Sequence, residues 1–142
     1  MTKVDAVKIL TTVIIIKCMQ VKIDTREKFH VITIREPKLA ANMTAELDKY
    51  LLPLAEDIIR NVVLNCEDIR EMDSAAAEQL IKIQQHFYDL QSSFVICNLQ
   101  PAVEEFLDAK DLSSRLNITP TESEAWDIVQ MEEIERELMS GD

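Results

Sequence analysis

Residues 61–90 read NVVLNCEDIREMDSAAAEQLIKIQQHFYDL, and the two ends of this stretch follow different periods. Asn61 to Cys66 is a compact apolar run without alternation, the pattern of a strand buried on both faces of a parallel sheet. From Ser74 to Leu90 the apolar residues Ala77, Leu80, Ile83, Phe87 and Leu90 recur at helical spacing, behind an alanine-rich first turn that allows close approach to a neighbour. A buried parallel strand needs a crossover after it, and this helix supplies one. Phe94 to Cys97, β-prone and apolar, is the next strand.

Working outward, Pro101 opens a short third helix through Leu107, since a missing amide hydrogen costs nothing in the first turn. Leu116 to Ile118 is a short last strand. Thr121-Glu122-Ser123-Glu124 is a capping box and predicts a helix through about Leu138. Toward the N-terminus, Met43, Leu47, Leu51, Leu54 and Ile58 form one face of a helix that starts near Asn42 and that Pro53 kinks or splits. Val21 to Asp24 and Phe29 to Arg35, separated by the polar Thr25-Arg26-Glu27-Lys28, have the layout of a hairpin. The order predicts a single α/β domain, a mixed central sheet with an N-terminal hairpin, right-handed crossovers and about four helices.

A chain of 142 residues, nearly half of them apolar, is long enough for one well-cored domain and too short for two. Its net charge of -11 repels phosphate backbones and anionic membranes, which argues against a nucleic-acid partner. The same charge suits a basic protein patch, or simple solubility. The one glycine is Gly141, so P-loops and dinucleotide fingerprints are absent and no cofactor is indicated. Cys18, Cys66 and Cys97 lack metal-ligand spacing and fit a reducing cytoplasm.

Ile9 to Ile16 is an eight-residue apolar stretch, well short of the ~20 residues that cross a bilayer, so no direct membrane insertion is expected. Lys3 and Lys8 precede it as in a signal peptide, but no small-residue cleavage site follows, and Lys17 stands before Cys18. The β-branched Val13-Ile14-Ile15-Ile16 reads more simply as a strand. Residues 1–18 are therefore an N-terminal extension, either an extra strand or a stretch ahead of a start at Met19, and 19–142 is the domain.

With these elements in order, Asn61–Leu90 resembles the centre of a STAS domain, where an apolar strand and a loop lead to Asp-Ser opening a helix. The stretch FVICNLQPAVEEFLDAKDLSSRLNITPTESEAW is similar to that family's next strand, its helix preceded by an asparagine, and its last strand and helix. The resemblance spans roughly Met19 to Leu138 and is to the anti-sigma factor antagonists in particular. It implies a bacterial, cytoplasmic regulator of transcription that binds an anti-sigma factor, itself a serine kinase. That kinase phosphorylates the serine matching Ser74 to break the capture, and a phosphatase restores it. Two departures stand out: Ala76 occupies the position where family members usually have glycine, and no glycine lies around Pro37 to Ala41.

Without the family, either Asp73 or Ser74 reads as the N-cap of the helix. A helix N-terminus also tolerates added phosphate, because free amide hydrogens and the helix dipole favour negative charge. A phosphoryl group beside Asp73, Asp68, Glu71 and Glu78 makes the local field strongly negative and expels a docked partner. The partner surface is expected on Asp68, Ile69, Arg70, Met72, Asp73, Ala75 and Glu78, with Ile69 and Met72 open to a second account as core residues.

Catalysis has little support, since His30 falls in a predicted strand and His86 late in a helix, neither near Ser74 in sequence. A different binding role is a constitutive accessory subunit of a lipid or anion transport complex, which needs no phosphorylation. The acidic stretch Glu122–Glu137 carries the apolar residues Ala125, Ile128, Val129, Met131, Ile134 and Leu138. Its first half is expected to pack on the sheet and its later turns to be a solvated face, a partner helix or a homodimer contact.

Overall fold

A computed structural model describes residues 19–139. The strand expected at Val13–Ile16, with the whole extension 1–18, lies outside the described residues.

Buried apolar runs pair into one sheet. β1 (Val21–Thr25) and β2 (His30–Ile34) form the antiparallel hairpin, with Val21 opposite Ile34 and Thr25 opposite His30. β2 then pairs in parallel with β4 (Val62–Asn65), β4 with β6 (Phe94–Cys97), and β6 with the short β7 (Ile118–Thr119). The order is β1-β2-β4-β6-β7, a five-stranded mixed sheet as the sequence predicts. Each residue of β4 and β6 is buried, because helices cover both faces.

Period-two alternation divides the core. Ile32, Ile34, Val62, Leu64, Phe94 and Ile96 pack with α1 (Thr44–Leu51), α2 (Ser74–Asp89) and α3 (Pro101–Ala109) through Leu47, Leu51, Leu80, Ile83, Phe87, Val103 and Leu107. Phe29, Val31, Val63, Val95 and Cys97 face the other way, against Ala125 and Val129 of α4 (Glu122–Met139). Trp126 stacks on Phe29 at 4.7 Å between ring centroids.

The helix ends follow local chemistry. Pro53 splits the helix expected from Asn42, so α1 stops at Leu51 and a 3-10 turn runs from Leu52 to Glu56. The chain then extends at Asp57, which leaves Ile58, expected on the buried face, 96% exposed. Leu90 also leaves the expected stripe: it caps α2 and is 37% exposed, because Gln91 turns into the left-handed region at φ 59°. Asp111 does the same after α3 at φ 57°. In both places a Schellman closure forms, Ser92 N–H to Phe87 O at 2.8 Å and Leu112 N–H to Leu107 O at 2.9 Å, with no glycine to ease it. At α4 the capping box is half made. Glu124 N–H donates to Thr121 Oγ1 at 3.2 Å, while the Glu124 carboxylate accepts from the Thr121 hydroxyl and not from its backbone.

A second, two-residue parallel ribbon was not legible in the pattern. β3 (Lys38–Leu39) pairs with β5 (Glu71–Met72), tying the segment after β2 to the loop after β4.

Candidate functional site

In an open α/β sheet the loops at the carboxyl ends of parallel strands converge, and three do so here, after β2, β4 and β6. The loop from Cys66 to Asp73 is tightly held. Cys66 N–H donates to Cys97 O at 3.0 Å, Glu67 N–H to Asn65 Oδ1 at 3.0 Å, and Ile69 N–H back to Cys66 O at 3.1 Å. Pro37 O accepts from both Arg70 N–H (2.7 Å) and Glu71 N–H (3.1 Å), and Leu39 O accepts from Asp73 N–H (3.1 Å). The ribbon thus carries the end of this loop to the mouth of α2.

At that mouth Asp73 has the extended backbone of an N-cap, φ -99° and ψ 171°. Its Oδ1 accepts from Ala76 N–H at 2.9 Å and its Oδ2 from Ala41 N–H at 2.9 Å, so one carboxylate caps α2 and anchors the turn that leads into α1. Ser74 is the first helical residue. It is half-buried, and its hydroxyl makes no hydrogen bond among the described residues. The sequence leaves the cap between two neighbours; the fold gives it to Asp73.

Of the residues expected on the partner surface, Arg70, Ala75 and Glu78 are exposed, and Asp68, Asp73 and Ser74 half-buried. Ile69 and Met72 are corrected to core: Ile69 is fully buried, Met72 is 7% exposed, and both join the cluster around Leu80 and Ile83. Asp68 and Arg70 line a shallow cleft of ≈ 280 Å³ with Arg35, Pro37, Glu67 and Gln100. Gln100 Nε2 donates to Glu67 O at 2.7 Å, closing the third loop onto the second. Arg35, Pro37 and Gln100 were not foreseen, and only proximity in the fold brings them to the site. Asn98 carries a signal: it sits at φ 58° directly after β6, a conformation asparagine tolerates better than most residues.

The departures from the family pattern have a backbone explanation. Among the described residues the positive-φ positions are Gln91, Asn98 and Asp111, so neither 37–41 nor 73–76 demands glycine. Ala76 is fully buried, its methyl group accommodated in the core.

The site holds no activated nucleophile among its thiols. Burial pushes the Cys66 thiol far above its ordinary value, with Cys97 adding to the effect. Cys97 is pushed up to about 12, by burial first and then by Glu122 and Glu67. The two thiols lie on opposite faces of the sheet, Cys66 with the α2 side and Cys97 with the α4 side. His30 begins β2, at the far end of the sheet from Ser74, where it meets Thr25 Oγ1 at 2.9 Å and Asp57 Oδ2 at 3.2 Å. His86 lies twelve residues along α2 from Ser74, about 18 Å at helical rise. No described helix is long and apolar enough to cross a membrane.

The family model of the STAS domain matches residues 20–125, and the chain belongs to that family. Among solved structures it is similar to an anti-sigma-factor antagonist (STAS) domain protein from Planctomyces limnophilus, with 17% identity, 78% of this chain and 97% of that one covered, and a TM-score of 0.67. It is similar to unphosphorylated SpoIIAA, an anti-sigma factor antagonist and Bacillus cell fate determinant, at 19% identity, 80% and 96% coverage and a TM-score of 0.61. It is also similar to part of the murine anion transporter Solute Carrier 26 family member A9, at 13% identity and a TM-score of 0.66, over 89% of this chain and 24% of that one. These likenesses are of fold alone.

Proposed function

We propose that this chain is a non-catalytic cytoplasmic regulator that captures an anti-sigma factor with serine-kinase activity and is released when Ser74 is phosphorylated, a phosphatase reversing the step. The docking surface is the rim of the β4–α2 loop and the first turn of α2: the exposed Arg70, Ala75 and Glu78 and the half-buried Asp68 and Ser74, with Asp73 as the cap beneath. The observation that carries this reading is the division of labour at the helix mouth. Asp73 uses both carboxylate oxygens on backbone amides, so the Ser74 hydroxyl has no structural task among the described residues and stays accessible. Phosphate there adds about -1.5 to -2 charges beside Asp73 and close to Asp68, Glu71 and Glu78, and acts by repelling the partner.

The test is phosphosite mapping by mass spectrometry on protein isolated from its native host across growth conditions, with Ser74→Ala as control. Modification of Ser74 that varies with condition is the expected result. Full coverage of the peptide with no phosphate in any condition overturns it. A second reading, a constitutive accessory subunit of a lipid or anion transport complex, is favoured by the likeness to a region of the murine anion transporter. It predicts a stable complex indifferent to Ser74→Glu.

A further inference from the structure

The second half of α4 is held from one side and, among the described residues, left bare on the other. On its inner side Glu132 accepts from the Ser93 hydroxyl at 2.6 Å and Asn117 Nδ2 at 3.3 Å, and Glu133 accepts from Asn61 Nδ2 at 2.6 Å. Arg136 donates to Ser93 Oγ at 3.2 Å and Asn61 Oδ1 at 3.3 Å. These bonds pin the helix to the starts of β4 and β6, well past the last buried apolar residue, Val129. The outer side carries Met131, Ile134 and Leu138 at i, i+3 and i+7, exposed by 54%, 57% and 75%. That spacing makes one continuous apolar ridge. The family match ends at Ala125, so the ridge lies beyond the span shared with the family.

The charge around the ridge selects its occupant. Asp127 and Glu135 are exposed and acidic, while Arg136, the one cation of α4, is engaged on the inner side. A second copy sets acid against acid in a chain of net charge -11, and an anionic membrane is repelled in the same way. We infer that the Met131–Ile134–Leu138 ridge docks an amphipathic helix of a partner protein whose apolar stripe is flanked by lysine or arginine. It is a second interface, on the opposite face of the sheet from α2 and independent of Ser74.

The test titrates the ¹⁵N-labelled full chain with a synthetic helix of about three heptads, Leu at a and d and Lys at e and g. The controls are a Glu-for-Lys version and a scrambled Lys peptide of equal composition. The inference expects the Lys helix alone to bind, to shift amides of residues 127–139, and to weaken at about 0.5 M salt. Ile134→Asp and Leu138→Asp, both at exposed positions, each weaken it at least about tenfold while leaving the remaining amide spectrum unchanged. No binding, equal binding of the scrambled peptide, or shifts centred elsewhere overturns the inference. So does concentration-dependent self-association that Ile134→Asp abolishes, which assigns the ridge to a second copy.

Discussion

Replacing Asp73 by alanine removes two hydrogen bonds at once, and the size of the loss tests how the helix mouth is built. The bond to Ala76 N–H is an N-cap, whose loss to alanine costs about 0.5–2 kcal/mol. The bond to Ala41 N–H is charge-assisted but exposed, so solvent can replace it and the loss falls near about 1 kcal/mol, below the range for buried charged acceptors. Together Asp73→Ala should cost about 1.5–3 kcal/mol. Asp73→Asn, which keeps an acceptor oxygen, should cost about 1 kcal/mol, and Ser74→Ala should stay within about 0.5 kcal/mol. With a urea slope of about 1–3 kcal/mol per molar, the Asp73→Ala midpoint drops by about 0.5–3 M. Hydrogen exchange at Ala41 and Ala76 should accelerate in the same variant. If Ser74→Ala costs as much as Asp73→Ala, the serine is the cap and the reasoning that leaves its hydroxyl available collapses.

Asn61 is buried and bonds Lys28 O, Glu133, Ser93 N–H and Arg136, so Asn61→Ala should cost about 2–4 kcal/mol in urea unfolding, and a loss under about 1 kcal/mol would show that α4 is not anchored there. Gln91→Gly and Asp111→Gly relieve left-handed backbone and should each stabilise by about 0.5–1 kcal/mol; a loss in thermal midpoint contradicts the assigned conformation. Because folding raises both thiols above the ordinary value of 9.0, the folded state holds protons that the unfolded state releases. Their contribution is complete below about pH 9 and is lost as pH climbs toward the folded values, so in a Cys18→Ser background the urea midpoint should fall between about pH 9 and 10.5, and Cys97→Ala should flatten that fall.

The buried strands β4 and β6 and the stripe of α2 were legible because their apolar periodicity is set by burial on two faces, which few other architectures require. The hairpin, Pro101 as the helix start and Pro53 as the break follow from local chemistry and are found where expected. What the pattern hid is long-range. β3 and β5 are two residues each, too short to show alternation, and exist because Pro37 O and Leu39 O receive amides from a loop more than thirty residues away. Ile58 and Leu90 continued a helical stripe on paper, yet each falls after a helix end set by backbone geometry. Ile69 and Met72 looked like binding residues because a loop usually faces water, whereas this loop is short and stapled at both ends, so its apolar side chains become its anchors.

Under the proposed function, the arrangement at Asp73 and Ser74 also fixes how far a charge mimic can go. Phosphate at the first helical residue faces free amide hydrogens and the positive end of the α2 dipole, worth about 0.3–1 kcal/mol in favour of the modified fold, so the domain keeps its shape. A partner carboxylate docked about 8 Å away meets roughly two added charges at a surface dielectric of about 40–80, a repulsion of about 1–2 kcal/mol for each such group. Two or three such groups weaken binding by about a hundredfold or more. Ser74→Glu supplies one charge on a longer stem, so it should deliver about half the free energy, roughly tenfold weaker binding, with the urea midpoint and amide spectrum of the free domain almost unchanged. Should Ser74→Glu instead lower the midpoint as Asp73→Ala does, the added charge acts by unseating the cap, and repulsion at an intact surface is the wrong mechanism.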